Sequence, residues 1–200
     1  ARADRTLLSR LTLTLGRRRI GVAGPNGSGK TALLRVMAGE ANPAAGAVTR
    51  SADRIGAIAQ GGTDWCVDDS LIERLLLTTA VTSLAGDPSE ALVTLLVAHR
   101  FPLALAERPL RTLSPGERVR AALICLFQRV PALELLVLDE PSYSLDLHGA
   151  AALITALNAW RGGLVVASHD RAFLRSIGVE CWLELDGRGG HTWRTRRDDS

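Results

Sequence analysis

The sequence predicts an α/β fold in which helices cover both faces of a mainly parallel β-sheet. A short apolar strand, Ile20–Ala23, leads into a glycine-rich loop, and a helix over Thr31–Gly39 follows that loop directly. A second apolar run, Leu135–Leu138, has the composition of a strand that is buried on both faces of a parallel sheet. Helix and strand patterns alternate after this run, which is typical of βαβ units.

Smaller elements complete the predicted fold. Leu11–Leu15 alternates apolar and polar residues with a period of two, which predicts a half-buried strand. This strand and one near Ala47–Thr49 are expected to form a small antiparallel N-terminal β part, followed by a strand over Arg54–Ala59. Apolar residues at helical spacing in Leu71–Leu77 and Ser89–Arg100 predict a helical region. The C-terminal elements are expected at His148–Arg161, Leu164–Ala167, Arg171–Ile177 and Glu180–Leu185.

Composition and charge limit the class of protein. The 200 residues are 46% hydrophobic and 22% charged, as in a globular domain, and the formal net charge of +3 is no argument for nucleic acid. No apolar run approaches the roughly 20 residues that span a bilayer, and Ala1–Arg10 does not resemble a signal peptide. Cys66, Cys125 and Cys181 are too widely spaced for a metal motif, which favours buried, reduced thiols in a cytoplasmic protein.

The glycine-rich loop carries the most specific motif. Gly24–Thr31 reads Gly-Pro-Asn-Gly-Ser-Gly-Lys-Thr, which fits the pattern G-x-x-x-x-G-K-[ST]. Its glycines let backbone N–H groups turn inward and form an anion nest at a helix N-terminus. Lys30 is the only lysine among 24 basic residues, and a compact ammonium suits the nest better than the broad arginine fork. The motif predicts binding of a nucleoside triphosphate, with the Thr31 hydroxyl as a Mg²⁺ ligand.

Two acidic residues and a histidine follow predicted strands. Asp139 and Glu140 end the apolar run, where the first would hold Mg²⁺ and the second would polarise an attacking water. The alternative is a strand that merely ends in two acids, and the lysine loop upstream favours catalysis. His169 ends the next strand, where open parallel sheets place ligands. A structural hydrogen bond is the commoner role for a lone histidine, and its position relative to Asp139 and Glu140 favours a functional one.

A helix start at Ser114 has a strong local signature. Ser114 stands at the N-cap, Pro115 at the first helical position, and Glu117 three residues after the serine completes a capping box. The sequence therefore predicts a helix that begins at Pro115.

Taken together, these motifs resemble those of the ATP-binding cassette (ABC) ATPases over nearly the whole chain. Gly24–Thr31 resembles Walker A, Leu135–Glu140 Walker B, Leu113–Glu117 the signature and Ser144–Asp146 the D-loop. The resemblance implies a P-loop NTPase (RecA-like) core at residues 1–60 and 131–200, with a helical subdomain and the signature at 61–130. It implies catalytic roles for Glu140, for the switch histidine His169 and for the Q-loop glutamine Gln60. It also implies that the Mg²⁺ ligands are Thr31, Gln60 and Asp139. The residues it implies around ATP are Gly24, Asn26, Gly27, Ser28, Gly29, Lys30, Thr31 and Ala32.

The resemblance also implies how such chains assemble. In this family two cassettes form a head-to-tail dimer, and each ATP lies between one Walker A and the partner's signature. Ser114, Gly116 and Glu117 would then serve a nucleotide bound to the second cassette, and Asp146 would contact that partner through the D-loop.

A narrower resemblance is to the ABC-F class, soluble twin-cassette proteins that act on the ribosome. Ser168–Leu174 resembles the switch segment of that class, and Asp139–Asp146 resembles its Walker B run. Only 52 residues separate Gln60 from Leu113, which leaves no room for the long arm of a first cassette. The chain thus resembles a second cassette, with ribosomal RNA as a partner, no direct membrane insertion, and ribosome protection against antibiotics as a role of some members. The alternatives are the motor cassette of a membrane transporter and a module that only senses ATP, against which Glu140 argues.

Several positions depart from the family pattern. Pro115 replaces the usual glycine, Ala32 replaces a hydroxyl residue, and Tyr143 with Ser144 replaces the usual Asn-His pair. The aromatic that stacks on adenine is expected near Arg2, yet no aromatic residue precedes the glycine-rich loop.

The tail is rich in arginine. Residues 188–197 hold His191, Trp193 and four arginines, which can meet RNA or form a solvated hairpin, and the hairpin is favoured.

Overall fold

The computed structural model describes residues 7–77, 87–129, 132–143 and 145–195. Within them one sheet has six strands, in the spatial order β2-β3-β4-β1-β5-β6. The strands are β1 (Arg19–Ala23), β2 (Ile55–Ile58), β3 (Leu135–Asp139), β4 (Gly163–Ala167), β5 (Cys181–Leu185) and β6 (His191–Thr195). The predicted strands at 20–23, 54–59, 135–138, 164–167 and 180–185 are confirmed within one or two residues at their ends.

Five of the seven helices in the described residues begin at a residue whose side chain caps the helix. Ser70 and Ser114 form capping boxes with Glu73 and Glu117, and the side chain of Asp170 accepts a hydrogen bond from the backbone N–H of Phe173. The helices are α1 (Lys30–Ala38), α2 (Leu71–Leu76), α3 (Pro88–Ala98), α4 (Leu103–Ala106), α5 (Pro115–Phe127), α6 (Leu147–Ala159) and α7 (Arg171–Ser176). None of the helices in the described part of the chain has the length and apolar character of a membrane span.

Strands β1 to β5 run parallel, and only the β5–β6 pair is antiparallel. In register, Asp139 of β3 pairs with Ala167 of β4, and Val22 of β1 pairs with the same Ala167. Since all five parallel strands therefore end on one edge of the sheet, the loops that follow them are neighbours.

The core has three clusters of buried side chains. Two of the clusters lie on opposite faces of the sheet, because neighbouring side chains on a strand point to opposite faces. Leu136 and Leu138 of β3 belong to the first cluster, with α5, α6 and α7. Val137 belongs to the second, with α1. The third cluster lies among the helices between residues 71 and 125, around Leu71, Leu75 and Phe101.

Two predicted N-terminal strands are not found. Leu11–Leu15 and Ala47–Thr49 have no strand assignment, so the described residues contain no small antiparallel N-terminal β part. Leu11, Leu13 and Leu15 are half-buried against the cluster that covers α1, whereas the residues between them are exposed. The period-two pattern of Leu11–Leu15 thus reflects the packing of alternate side chains against the core. The segment lacks the backbone pairing that would make it a strand. The antiparallel pair is instead at the C-terminal end of the sheet, where the tail forms the predicted hairpin through β6.

The prediction of buried thiols is fully correct for only one of the three cysteines. Cys125 is buried, and burial raises the pKa of its thiol to about 12. Cys181 is half-buried, but Cys66 is exposed, because it follows the turn at Gln60–Trp65 rather than lying inside a helix or strand. Among the described residues, no group of three or more His, Cys, Asp or Glu side chains is arranged to hold a metal ion.

Arg19 joins the ends of two helices. Its guanidinium donates to the carbonyl oxygens of Leu157 (2.9 Å) and Trp160 (2.6 Å) at the end of α6, and to that of Ile177 (2.6 Å) at the end of α7. A cation is favoured there because the last carbonyls of a helix carry partial negative charge. Burial, together with repulsion from Arg161, lowers the pKa of Arg19.

Replacing Arg19 with alanine should lower the free energy of unfolding by about 2 kcal/mol, because three carbonyl oxygens lose a charged donor. Urea unfolding measures this loss as a lower midpoint at unchanged slope. Arg18→Ala is the matched control, since Arg18 is exposed and surface substitutions typically change stability by less than about 0.5 kcal/mol. Equal midpoints for the two variants would contradict the role given to Arg19.

Candidate functional site

Most of the predicted functional residues lie along the edge where the parallel strands end. The glycine-rich loop, Gly24–Gly29, connects β1 to α1, and Asp139 with Glu140 stands at the end of β3. His169 follows β4, whose last residue pairs with Asp139. Ile58 of β2 pairs with Leu138, so Gln60 also follows its strand at this edge.

The loop has a backbone that only glycine can form at some positions. Gly24, Gly27 and Gly29 have φ angles of 144°, 75° and 103°. A Cβ atom at Gly24 would lie 2.5 Å from the carbonyl oxygen of Leu185, so the loop and β5 approach too closely for any side chain. Ser28 is buried, and its Oγ has no hydrogen-bond partner among the described residues. A buried hydroxyl without a partner is costly, which indicates that a polar ligand completes this loop.

Lys30 is buried in the loop without a carboxylate beside it. Its side chain is 8% exposed, and Nζ donates to the carbonyl oxygens of Gly24 (2.7 Å) and Pro25 (3.3 Å). The described residues contain no ion pair of Lys30. Because a buried ammonium is stabilised far better by an anion than by neutral carbonyls, the loop is electrostatically prepared for a negatively charged ligand.

Thr31 and Asp139 meet in a short contact between α1 and β3. The Thr31 hydroxyl donates to Oδ2 of Asp139 over 2.6 Å, and Asp139 is buried at the end of its strand. Hydroxyl and carboxylate oxygens are the ligands that Mg²⁺ takes in nucleotide sites. The two oxygens can therefore hold one such ion next to Lys30.

Glu140 is held close to His169. The backbone N–H of His169 donates to Oε2 of Glu140 over 3.3 Å, and Nε2 of His169 lies 3.2 Å from Oε1 without the alignment of a hydrogen bond. The Glu140 side chain is only 13% exposed, and its φ angle of 45° is rare for a residue with a side chain. Strained residues of this kind cluster at functional sites.

Gln60 is exposed at the start of a short 3₁₀ segment, Gln60–Trp65, which has non-helical backbone angles at Gly61 and Gly62. No hydrogen bond among the described residues joins its side chain to Thr31 or Asp139. Gly61 and Gly62 after it both have φ angles of 63°, which turns the segment back onto α5.

Arg118 connects this segment to the start of α5. Its guanidinium donates to the carbonyl oxygen of Gly61 (3.2 and 3.3 Å) and to that of Leu113 (3.2 Å). The motif resemblance gave this residue no role of its own, because an arginine next to the capping box does not specify a partner 57 residues earlier in the chain.

The predicted signature lies apart from these groups. Ser114 Oγ accepts from the N–H of Glu117 (3.3 Å), while the Glu117 carboxylate accepts from the N–H of Ser114 (2.8 Å). Ser114 and Pro115 are exposed and Gly116 is buried. Among the described residues no hydrogen bond or ion pair links this segment to Lys30 or Thr31.

The remaining predicted residues have simpler surroundings. Asn26 and Ala32 are exposed on the loop and on α1. Asp146 caps α6 by accepting from the N–H of Gly149 over 2.7 Å. Arg2 and Ser144 lie outside the described residues.

A cleft of about 390 Å³ opens between the glycine-rich loop and His169. Arg171 and Glu184 line it and form an ion pair (2.6 Å), and Arg194 contacts the same carboxylate from β6 (2.6 Å). Arg194 of the hairpin is thus engaged within the protein, Arg188 is exposed in the turn, and Arg196 and Arg197 lie outside the described residues.

Comparison with known proteins agrees with this arrangement. Residues 8–143 match the family model described as ABC transporter. The chain is 34% identical over 171 residues to ABC transporter F family member 3 of Arabidopsis thaliana (85% of this chain, 23% of that protein). It is 33% identical over 226 residues to the tylosin resistance ATP-binding protein TlrC of Streptomyces fradiae (93% and 41%). It therefore spans between about a quarter and two-fifths of the length of these relatives.

Solved structures show the same fold. The ATP-binding subunit of an ABC transporter superimposes with a TM-score of 0.75 at 19% identity, covering 96% of this chain and 85% of that one. The ATP-binding cassette MJ0796, a dimer bound to ADP and Pi, gives a TM-score of 0.72 at 19% identity over 94% and 90%. With a family match over most of its length and the same fold, the chain belongs to the ABC transporter family as one of its ATP-binding cassettes.

Proposed function

We propose that this cassette binds and hydrolyses ATP in a soluble ABC-F type factor that acts on the ribosome. The observation that carries the proposal is the meeting of opposite charges at one sheet edge: the buried Lys30 stands beside Thr31, whose hydroxyl contacts Asp139, and Glu140 follows in the chain. A cation for phosphate oxygens, two oxygen ligands for a metal and a poised carboxylate are the groups that nucleotide hydrolysis needs.

The loop residues fit a triphosphate with Mg²⁺. The unpartnered Ser28 hydroxyl and the ammonium of Lys30 both need an anionic or polar ligand. The residues proposed around ATP are Gly24, Asn26, Gly27, Ser28, Gly29, Lys30, Thr31 and Ala32. Thr31, Asp139 and Gln60 would hold Mg²⁺, which when bound neutralises charge on the phosphate oxygens.

Glu140 is proposed as the base. It would accept a proton from the water that attacks the terminal phosphorus, while the bond from that phosphorus to the bridging oxygen breaks to give ADP and phosphate. His169 would hold the carboxylate in place, since its backbone N–H and its ring both face Glu140.

A second cassette is proposed as the partner. Ser114 is exposed and separate from Lys30, so it serves a nucleotide only when another chain or cassette presents one. Tyr143 and Leu147, which flank Asp146, are large exposed apolar side chains, and Leu147 is 87% exposed. Surfaces of this kind mark contact sites. The third core cluster supports residues 61–130 as the helical subdomain between core segments 1–60 and 131–200.

The ribosomal role and the cytoplasmic location rest on the ABC-F resemblance. The relatives include F-family members and a protein named for tylosin resistance, which supports antibiotic resistance by ribosome protection as the finer proposal. A motor cassette of a membrane transporter is the second candidate, because Val93, Val97 and Leu103 expose apolar side chains on α3 and α4 where a membrane subunit can dock. Co-sedimentation with ribosomes, as opposed to co-purification with membranes, separates these two functions.

Lys30→Arg should abolish detectable ATP binding even though it keeps the charge, because the planar guanidinium is too wide for a loop with these close approaches. Lys30→Ala should fail as well, since the loop would lose its only cation. Equilibrium binding of a fluorescent ATP analogue, with folding checked by circular dichroism, measures the effect. Near-normal affinity of the arginine variant would show that the loop is not the close-fitting nest described above.

The isolated chain should hydrolyse ATP poorly, and a partner cassette should raise the turnover. Ser114→Arg should block the rise without weakening ATP binding at Lys30, because the exposed N-terminus of α5 faces the partner's nucleotide. Phosphate release by the cassette pair, with Glu140→Gln as the background, tests this. Robust turnover by the monomer that Ser114→Arg leaves unchanged would mean that one cassette contains the whole site.

A further inference from the structure

A large groove lies at the edge of the sheet where the parallel strands begin, opposite the nucleotide site. The groove has a volume of about 1540 Å³ and is lined at the amino ends of four parallel strands. Its lining includes Arg17 before β1, Arg54 before β2, Glu134 before β3 and Arg161 before β4. Because the strands are parallel, these four residues lie about one strand length away from the edge that holds Asp139.

The charged side chains that line the groove are mainly positive. Its titratable side chains are four arginines, one histidine and a single acid: Arg17, Arg50, Arg54, Arg161, His99 and Glu134. Glu134 is occupied by Arg54 (2.8 Å), and Arg50 donates to the carbonyl oxygen of Val36 (3.2 Å). Arg17 and Arg161 are exposed, and neither forms an ion pair within the described residues. Two guanidinium groups thus present charge to solvent, one before β1 and one before the neighbouring β4.

Like charges crowd together at this edge. Repulsion from Arg161 contributes to the lowered pKa of Arg19, after burial as the larger cause. A concavity lined mainly by one sign of charge focuses the electric field and concentrates oppositely charged partners.

Aromatic rings form part of the wall. Phe127 and Trp160 are stacked at 5.6 Å with a 13° angle between their planes, and both line the groove. The indole N–H of Trp160 donates to the carbonyl oxygen of Gly163 (2.9 Å), which fixes the ring. A half-buried, fixed aromatic pair next to guanidinium groups can take both a planar base and its phosphate.

We propose that this groove binds the sugar–phosphate backbone of single-stranded RNA. The inference rests on the proposed ribosomal function and assigns the groove as the surface that contacts RNA. Guanidinium groups pair with phosphate oxygens through two parallel hydrogen bonds, and the aromatic wall favours RNA over an acidic protein segment, which offers no bases to stack. The C-terminal hairpin is the poorer RNA site, because Arg194, one of its two described arginines, is already paired with Glu184.

The groove and the nucleotide site are separate enough to act independently. Strand β3 runs from Leu135 at the groove to Asp139 at the nucleotide site, a span of roughly 13 Å at about 3.3 Å per residue. RNA and ATP can therefore be bound at the same time, and substitutions in the groove should leave ATP affinity unchanged.

The test is fluorescence anisotropy of a labelled oligouridylate with the purified chain, measured over a series of KCl concentrations. The double variant Arg17→Ala/Arg161→Ala should bind on the order of tenfold more weakly at about 0.1 M salt. The slope of log affinity against log salt should fall by about 1.4, because each phosphate contact on a single strand contributes about 0.7. Arg108→Ala/Arg175→Ala removes the same charge from exposed positions outside the groove and should change affinity less than about twofold.

The outcomes separate failure of the RNA-binding groove from failure of the proposed function. Equal losses in the two double variants, no RNA binding by the unmodified chain, or tighter binding of poly-L-glutamate than of RNA would each overturn the groove assignment. The Lys30→Ala variant should lose ATP and keep RNA, so failure of the ATP proposal is recognised separately. If the chain pellets with ribosomes and Arg17→Ala/Arg161→Ala pellets equally well, the ribosomal function stands and the RNA groove does not.

Discussion

The hydrogen bond between Thr31 and Asp139 joins residues 108 positions apart in the chain, and the whole site depends on the sheet that allows it. β4 lies between β1 and β3, so the loop after β1 and the acids after β3 reach across one strand to meet. The register that pairs Ala167 with both Val22 and Asp139 fixes this distance. A shift of one residue would also move the buried faces of β3, because neighbouring side chains point to opposite sides. The core and the site are therefore held by the same constraint.

The charged side chains also differ between the two ends of the parallel strands. The edge where the parallel strands end holds the buried Lys30, which forms no ion pair within the described residues, together with Asp139 and Glu140. This combination suits a polyanion that brings a metal ion. The amino edge holds arginines with one acid between them, which suits a polyanion alone. The formal net charge of +3 showed none of this, since it averages over both edges.

Local signals in the sequence predicted the glycine-rich loop and the capping box, whereas long-range pairing did not follow from them. The glycine pattern around Lys30 and the capping box at Ser114 depend on neighbours in the chain, and the structure has both. Leu11–Leu15 shows the limit, because alternation fixes which face is buried but not whether a strand lies alongside. Arg19 and Arg118 act on carbonyl oxygens of distant segments, and one arginine among 24 basic residues carries no mark of such a partner.

Calorimetric titration of ATP in Mg²⁺ and in EDTA tests most directly whether Thr31 and Asp139 form one metal site. The unmodified chain should bind ATP more tightly when Mg²⁺ is present. Thr31→Val keeps the shape of the side chain but removes the oxygen ligand, and Asp139→Asn removes the negative charge. Each variant should lose the advantage that Mg²⁺ gives and keep the affinity measured in EDTA. An unchanged effect of Mg²⁺ in both variants would contradict the account, because the metal would then be held elsewhere.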